Sequence, residues 1–204
     1  MLVVGLTGNF GMGKSTVLKM FSDMGAVSLD VDQIVDVLLR DSAVLRKVKD
    51  SFGKRVFCED GELDRASLAA AIFADSEKRE LLERVLHPLV FEKIESFLEG
   101  ILKGESDHEI VIVEVPLLFE TGYAKRFSRK ITVYTDESIA FDRLAGKGVT
   151  REDAMKRLSA QMPINEKVHL ADFTIDNSGT KAETERQVRM IYEKLLAELR
   201  MKDC

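Results

Sequence analysis

The segment Gly8–Ser15 reads G-N-F-G-M-G-K-S and matches the pattern G-x-x-x-x-G-K-[ST] of a phosphate-binding loop. The apolar segment Leu2–Leu6 precedes it and is typical of a buried strand, and the amphipathic segment Val17–Met24 follows with helical spacing. Glycines let successive N–H groups turn inward, and the N-terminus of the following helix adds positive potential, so such a loop favours an anion. The sequence therefore predicts a nucleotide-binding site after the first strand.

The side chains of this loop indicate how a nucleotide is bound. Lys14 is placed to reach the outer phosphates, and the hydroxyl of Ser15 is placed to coordinate Mg²⁺. We therefore expect Mg²⁺ as the cofactor, Lys14 as a catalytic residue and Ser15 as the metal ligand. The predicted nucleotide-binding residues of this segment, which become ATP-binding residues if the co-substrate is ATP, are Gly8, Asn9, Phe10, Gly11, Met12, Gly13, Lys14, Ser15 and Thr16.

The rest of the chain alternates strand-like and helix-like segments. Short β-branched runs predict further buried parallel strands at Ala26–Asp30, Glu109–Val115, Lys130–Thr135 and Phe173–Ile175. Helical spacing predicts a long helical stretch that ends at Phe52 and further helices at Arg65–Phe73, Glu77–Leu102 and Lys181–Lys202. This order predicts an α/β fold, a doubly wound five-stranded parallel sheet with ligands at the carboxyl ends of the strands.

Length and composition favour one domain with insertions. The chain has 204 residues, of which 45% are hydrophobic and 32% charged, and no Gly/Ser-rich linker divides it. A formal net charge of −5 argues against a nucleic-acid-coating surface. The first residues lack a basic leader and a long apolar run, so neither a signal peptide nor a membrane span is predicted. We expect a cytoplasmic protein without a nucleic-acid or membrane partner, and the oligomeric state stays open.

Two carboxylates, Asp30 and Asp32, stand in S-L-D-V-D-Q-I-V, where the second predicted strand ends and a helix begins. Asp30 can cap that helix and Gln33 can complete a capping box, and this structural alternative stays open for Asp30. Asp32 follows the strand at the same edge of the sheet as the phosphate loop, which favours a role in orienting and deprotonating an acceptor hydroxyl. We therefore predict that Asp32 is a catalytic residue.

An ordered set of motifs resembles the dephospho-coenzyme A kinase family. G-L-T-G-N-F-G-M-G-K-S-T resembles the family's phosphate loop, and S-L-D-V-D resembles its D-x-D. Further similar segments, in the family's order, are G-E-L-D-R-A-S-L (Gly61–Leu68), L-H-P-L-V (Leu86–Val90), V-P-L-L-F-E (Val115–Glu120), A-M-K-R-L-S-A-Q (Ala154–Gln161) and A-D-F-T-I-D-N-S-G (Ala171–Gly179). The resemblance implies transfer of the ATP γ-phosphoryl group to the ribose 3′-hydroxyl of dephospho-coenzyme A, the last step of coenzyme A synthesis.

The resemblance also implies how the chain is divided. It implies a P-loop fold of the nucleoside-monophosphate-kinase type, formed by a single kinase domain with a helical substrate lobe and a small lid. The expected core covers residues 1–32, 108–137 and 170–204, the helical substrate-binding insertion covers residues 33–107, and the lid covers residues 138–165.

Substrate contacts are implied for Asp32, Arg65, His87, Pro116, Leu117 and Leu118. The dianionic diphosphate of the substrate favours a nearby guanidinium, although Arg65 is equally well explained as a solvated helix charge. Leu86–Val90 has the alternative of a helix interrupted at Pro88, and the two leucines have the alternative of a place in the core.

The segment Ser138–Met162 resembles the family's lid and is rich in cations. An arginine in the lid can stabilise the charge of the transferring phosphoryl group, and Arg143 is the predicted catalytic and ATP-binding residue. R-L-A-G-K places Lys147 where the family usually has a second arginine, so the division of roles among Arg143, Lys147 and Arg157 stays open. Asn177 resembles the residue beside the adenine ring, with a turn former as its alternative.

Two other functions compete with this interpretation. The fold and the phosphate loop are equally compatible with another small-molecule or nucleoside monophosphate kinase. A GTP-hydrolysing switch would need a guanine-binding N-K-x-D motif, and no Asn-Lys pair occurs in the sequence. The motifs D-V-D, L-H-P and P-L-L-F-E separate the first alternative from the family.

Overall fold

A sheet of five parallel strands, in the order β2-β3-β1-β4-β5, forms the centre of the computed structural model, which describes residues 1–103 and 109–202. The strands are β1 (Leu2–Thr7), β2 (Val27–Asp30), β3 (Ile110–Glu114), β4 (Arg129–Tyr134) and β5 (Phe173–Asp176). The strand order reverses on the two sides of β1, as in a doubly wound sheet, and parallel strands in such folds bind ligands at this switch point. The predicted five-stranded parallel sheet is confirmed.

Among the described residues, one helix follows β1, four follow β2, three follow β4 and one follows β5. In the described residues they are α1 (Lys14–Asp23), α2 (Val31–Leu38), α3 (Ser42–Phe52), α4 (Arg65–Ala74), α5 (Ser76–Lys103), α6 (Glu137–Ala145), α7 (Arg151–Ser159), α8 (Ile164–Leu170) and α9 (Lys181–Lys202). The predictions for α4, α5 and α9 agree within one residue at each end. The predicted helical stretch before Phe52 is two helices, because Asp41 caps a new one by accepting hydrogen bonds from the N–H groups of Ala43 and Val44.

The chain divides into two compact units. One unit consists of Met1–Asp30 and Asp107–Cys204 and contains the sheet, and the other consists of Val31–Ser106 and contains α2 to α5. The predicted boundaries between core, substrate-binding insertion and lid stay predictions.

The core of the first unit lies between the sheet and the helices α1 and α9. All five residues of β3 are buried, as their β-branched sequence I-V-I-V-E predicts. Val17 and Phe21 of α1 and Val188 and Leu195 of α9 are fully buried and belong to the same apolar cluster as the strands. Removal of this apolar surface from water holds α1, and with it the segment that precedes α1, against the sheet.

The second unit is organised around α5, which contacts α2, α3 and α4. Its buried side chains include Ile34, Val48, Leu68, Leu86 and Val90. The helix continues through Pro88, so the alternative of an interruption at this proline is wrong.

The longest helices, α5 and α9, carry many charged residues. Within residues 1–103 and 109–202, every helix is too short or too polar to cross a membrane.

Candidate active site

The phosphate loop connects β1 directly to α1 and depends on two close backbone approaches. Gly8 has a φ of 150° and Gly13 a φ of 87°. A Cβ atom at Gly8 would lie 2.3 Å from the carbonyl oxygen of Val133, and one at Gly13 would lie 2.2 Å from Nδ2 of Asn177. Only glycine fits these positions. The helix begins at Lys14, three residues earlier than predicted, so the loop runs without a break into a helix N-terminus, the arrangement that binds phosphate.

Lys14 lies next to an acidic side chain that the sequence analysis missed. Its Nζ is 3.8 Å from Oε1 of Glu114, and the two side chains are only 11% and 4% exposed. Glu114 ends β3 and is the register partner of Leu6 in β1 and of Asp30 in β2. Asp30 and Glu114 each end their strand, and register partners on neighbouring parallel strands point to the same face of the sheet. The two carboxylates therefore lie at the same edge. The signal for Glu114 in the sequence was a single acidic residue at the end of an otherwise apolar predicted strand.

Asp30 and Asp32 occupy the end of β2 and the first turn of α2. The helix begins at Val31, so Asp30 holds the position that the capping alternative requires. Asp32 is exposed on the helix, where a negative charge is favourable to the helix dipole. Asp32 thus has an exposed carboxylate two residues after the end of β2.

The donors at this edge suit a nucleotide-bound Mg²⁺ ion. Ser15 offers a hydroxyl and Asp30 a carboxylate, which are the oxygen ligands that Mg²⁺ prefers. In the described part of the chain, no group of three or more His, Cys, Asp or Glu residues could hold a metal ion. Mg²⁺ in phosphoryl-transfer sites is usually bound by one or two protein oxygens together with substrate phosphates, so these residues fit the ion.

Arg143 and Asn177 meet at the phosphate loop. Nη2 of Arg143 donates to the carbonyl of Asn177 at 2.9 Å, and its buried Nη1 has no hydrogen-bond partner among the described residues. The side-chain amide of Asn177 donates to the carbonyl of Met12 at 2.9 Å and its side-chain oxygen accepts from Thr184 at 2.9 Å. The structure therefore brings these two predicted ATP-binding residues together, with a guanidinium N–H available for an anion.

The other cations of the predicted lid differ in their surroundings. Arg157 stacks over the ring of Phe10, with 4.7 Å from its guanidinium carbon to the ring centroid. Arg151 stacks over Phe141 at 4.6 Å, and Lys147 is exposed. Arg143 and Arg157 of the predicted lid thus lie beside the phosphate loop, and their roles in the reaction stay predictions.

Lys167 of α8 forms an ion pair with Glu120 that the sequence analysis also missed. The side chain is fully buried, and its Nζ lies 2.7 Å from Oε1 of Glu120 and donates to the carbonyl of Pro116 at 2.9 Å. Burial lowers the pKa of Lys167, Glu120 opposes this effect, and the positive charge of Lys14 adds to it. The sequence I-N-E-K-V-H-L contains no local signal that distinguishes this lysine from an exposed one.

The residues after β3 have different environments. The carbonyl of Pro116 also accepts a hydrogen bond from the hydroxyl of Thr7 at 3.1 Å. Leu118 is fully buried, and its Cδ2 lies 3.0 Å from the position of a Cβ atom on Gly5, so its burial supports the core alternative. Pro116 and Leu117 are half-buried, and their contact with substrate stays a prediction.

In the second unit, Arg65 opens α4 and forms an ion pair with the carboxylate of Asp36. A second nitrogen of the guanidinium donates to the carbonyl of Asp36 at 3.3 Å. Both side chains are about half exposed, so the pair orients the guanidinium and adds little stability. The sequence analysis predicted Arg65 and missed Asp36.

His87 is half-buried on α5. Its ring lies 6.4 Å from the ring of Phe91 in an edge-on arrangement. Burial lowers the pKa of His87, and the charge of Glu83 opposes this shift, so its surroundings favour the neutral imidazole. A neutral imidazole can donate or accept a hydrogen bond, which keeps the predicted substrate contact open.

A family model described as dephospho-CoA kinase matches residues 2–183. The chain belongs to the dephospho-CoA kinase family. The dephospho-CoA kinase of Aquifex aeolicus (strain VF5) is 40% identical to this family member over 193 residues, which cover 94% of this chain and 96% of the relative. The predicted family, the ATP-dependent kinase activity and the role in coenzyme A synthesis are therefore confirmed.

Solved structures agree with this membership. The structure of TT1252 from Thermus thermophilus is 32% identical to this family member, with a TM-score of 0.81 and coverage of 97% of each chain. The dephospho-CoA kinase from Campylobacter jejuni is 26% identical, with a TM-score of 0.67 over 95% of this chain and 96% of that one. The predicted P-loop fold of the nucleoside-monophosphate-kinase type is confirmed.

Proposed function

We propose that this protein transfers the γ-phosphoryl group of ATP to the ribose 3′-hydroxyl of dephospho-coenzyme A, with Mg²⁺ on the ATP phosphates. The observation that carries the proposal is the phosphate loop, with Lys14 held beside Glu114 at the carboxyl edge of the sheet. The 3′-oxygen forms a bond to the γ-phosphorus while the bond to the bridging oxygen breaks, and ADP leaves. The products are coenzyme A and ADP.

Charge stabilisation is the main task of the protein in this reaction, because the transition state is loose and its charge lies on the equatorial oxygens. The ammonium of Lys14 neutralises the outer phosphates, and Arg143 supplies its unpaired guanidinium nitrogen to the transferring group. Ser15 and Asp30 are the residues that would hold Mg²⁺ when it is bound with ATP, and the ion would supply positive charge that offsets the charge of the phosphates.

The acceptor hydroxyl needs a group that orients it and takes its proton. We assign this role to Asp32, which stands two residues after the end of β2 and carries an exposed carboxylate. A carboxylate accepts a hydrogen bond from the hydroxyl in the ground state and the proton late in the reaction. Alignment of the oxygen with the γ-phosphorus is the larger part of the effect.

The recognition of dephospho-coenzyme A is assigned to Arg65, His87, Pro116 and Leu117. The guanidinium of Arg65, oriented by Asp36, suits the diphosphate of the substrate. The net charge of −5 argues against a nucleic-acid partner. We also propose that the enzyme acts in the cytoplasm, where ATP is available as the phosphoryl donor.

A panel of acceptors tests the proposal. Purified protein with Mg²⁺ and ATP is assayed for ADP release with dephospho-coenzyme A, adenosine, AMP and shikimate, and the product is examined by ³¹P NMR for a 3′-phosphate. We expect dephospho-coenzyme A to be the preferred acceptor and the phosphate to be on the 3′-oxygen. Faster turnover with any other acceptor, or a phosphate at a different position, overturns the proposal.

A further inference from the structure

Two hydrogen bonds hold the phosphate loop from the chain segment after α7. The N–H group of Phe10 donates to Oε1 of Gln161 at 2.9 Å. The side-chain amide of the neighbouring Asn9, which is 5% exposed, donates to the carbonyl of Met162 at 3.0 Å. Gln161 ends the motif A-M-K-R-L-S-A-Q, and the reaction described above gives it no role. The segment Gln161–Met162 thus contacts two successive residues of the loop.

The segment Gln161–Met162 is itself anchored. The N–H group of Met162 donates to Oε1 of Glu120 at 2.9 Å, and the same oxygen forms the ion pair with the fully buried Lys167. Loss of the contact with Glu120 would leave the ammonium of the fully buried Lys167 without its charge partner, so this ion pair resists rearrangement. Gln161 therefore presents its side-chain oxygen to the loop from a fixed position.

The loop needs such support because of its glycines. Gly8, Gly11 and Gly13 all have positive φ angles, and glycine loses more backbone freedom than other residues when it becomes ordered. If this ordering occurs before ATP arrives, its entropic cost is not subtracted from the binding free energy.

We propose that Gln161 is a positioning residue that holds the phosphate loop in its ATP-binding conformation through the N–H group of Phe10. This inference rests on the proposed function, in which the loop binds the ATP phosphates. Loss of the contact weakens ATP binding and leaves the acceptor side of the reaction unchanged. The opposite possibility is that Gln161 occupies an N–H group that a phosphate oxygen would use, and then its removal would strengthen ATP binding.

Three variants separate these outcomes. Gln161→Met keeps the length of the side chain and removes the acceptor, whereas Gln161→Glu keeps an acceptor oxygen. Ser159→Ala is the matched control, because Ser159 is exposed two residues before Gln161 and its hydroxyl donates to the carbonyl of Lys156 in its own helix, α7. The amide exchange rate of Phe10 is measured by NMR without nucleotide, the Kd of Mg·ATP by calorimetry, and KM and kcat by ADP release.

We expect Gln161→Met to raise the Kd and the KM for ATP about tenfold, the effect of losing one hydrogen bond of about 1.4 kcal/mol. The KM for dephospho-coenzyme A at saturating ATP and the unfolding temperature should not change. Exchange at Phe10 should be faster in Gln161→Met and slow in Gln161→Glu and Ser159→Ala.

Unchanged or tighter ATP binding in Gln161→Met overturns the inference, as does unchanged exchange at Phe10. A wild-type enzyme that binds ATP but does not phosphorylate dephospho-coenzyme A contradicts the proposed function alone, since the exchange and calorimetric measurements need no acceptor.

Discussion

Replacing Lys14 by alanine should lower both activity and stability, because the side chain has two electrostatic partners. It faces the outer phosphates in the proposed reaction, and in the protein alone it compensates the buried carboxylate of Glu114 at 3.8 Å. Two unit charges at about 4 Å interact by about 4 kcal/mol at an effective dielectric constant of about 20. Water that enters the space left by the lysine recovers part of this energy, so we expect a loss of about 2–3 kcal/mol of unfolding free energy.

The assay combines thermal unfolding with ADP release. In a chain of this size, about 1 kcal/mol corresponds to about 2–4 °C, so the unfolding temperature of Lys14→Ala should fall by about 5–10 °C. Turnover should fall by about 10²-fold or more, because a positioned cation on the phosphates is lost. Lys19→Ala is the matched control, since Lys19 lies on the same helix and its side chain is 76% exposed.

Adding Glu114→Gln to Lys14→Ala separates the two effects. The neutral amide no longer needs a cation, so the unfolding temperature should return to within about 2 °C of the wild type while turnover stays low. A wild-type unfolding temperature in the single variant would refute the electrostatic argument. Recovery of turnover in the double variant would show that Lys14 acts only as a structural partner of Glu114.

Three further predictions concern other side chains. Asp32→Asn should lower kcat by about 10²–10⁴ with little change in ATP affinity, and a fully active variant would leave the mechanism without its base. Arg143→Ala should lower kcat more than it weakens ATP binding, whereas a change in the KM for ATP alone would limit Arg143 to ground-state binding. Burial would raise the pKa of Asp172, but hydrogen bonds and the charge of Lys130 lower the pKa overall. The folded-state pKa lies below the unfolded value, so Asp172 stabilises the protein above about pH 4 and loses this contribution as the pH falls through its folded-state pKa. The variant Asp172→Asn should therefore show a smaller fall of the unfolding free energy with decreasing pH. A wild-type slope in urea titrations of that variant between pH 2 and 5 would contradict the assignment.

Local sequence was sufficient to predict the elements whose signals are local. The β-branched run of β3 and the glycine pattern of the phosphate loop each determine their own conformation, and the structure agrees with both. The division of the helical stretch before Phe52 also has a local cause, the Asp41 cap, which was overlooked because the apolar spacing continues across it.

The contacts that complete the site are not local. Glu114 meets Lys14 only because β3 pairs beside β1, and the buried Lys167 meets Glu120 across more than forty residues of sequence. Helical spacing alone predicts an exposed lysine at position 167, since a charged side chain is buried only when tertiary structure supplies its partner. Gln161 was part of a family motif, yet its contact with Phe10 required the coordinates.

The position of β1 in the sheet has a consequence for the order of folding. It is synthesised before the other four strands of the sheet, but its neighbours are β3 and β4, whose residues paired with β1 begin at Ile110 and Arg129. The helices of Val31–Ser106 contact one another over shorter sequence distances and can form while the chain is still growing. An apolar, unpaired strand edge therefore persists on the nascent chain, and the strand that leads into the phosphate loop is paired only after Ile110 and the residues that follow it have been made.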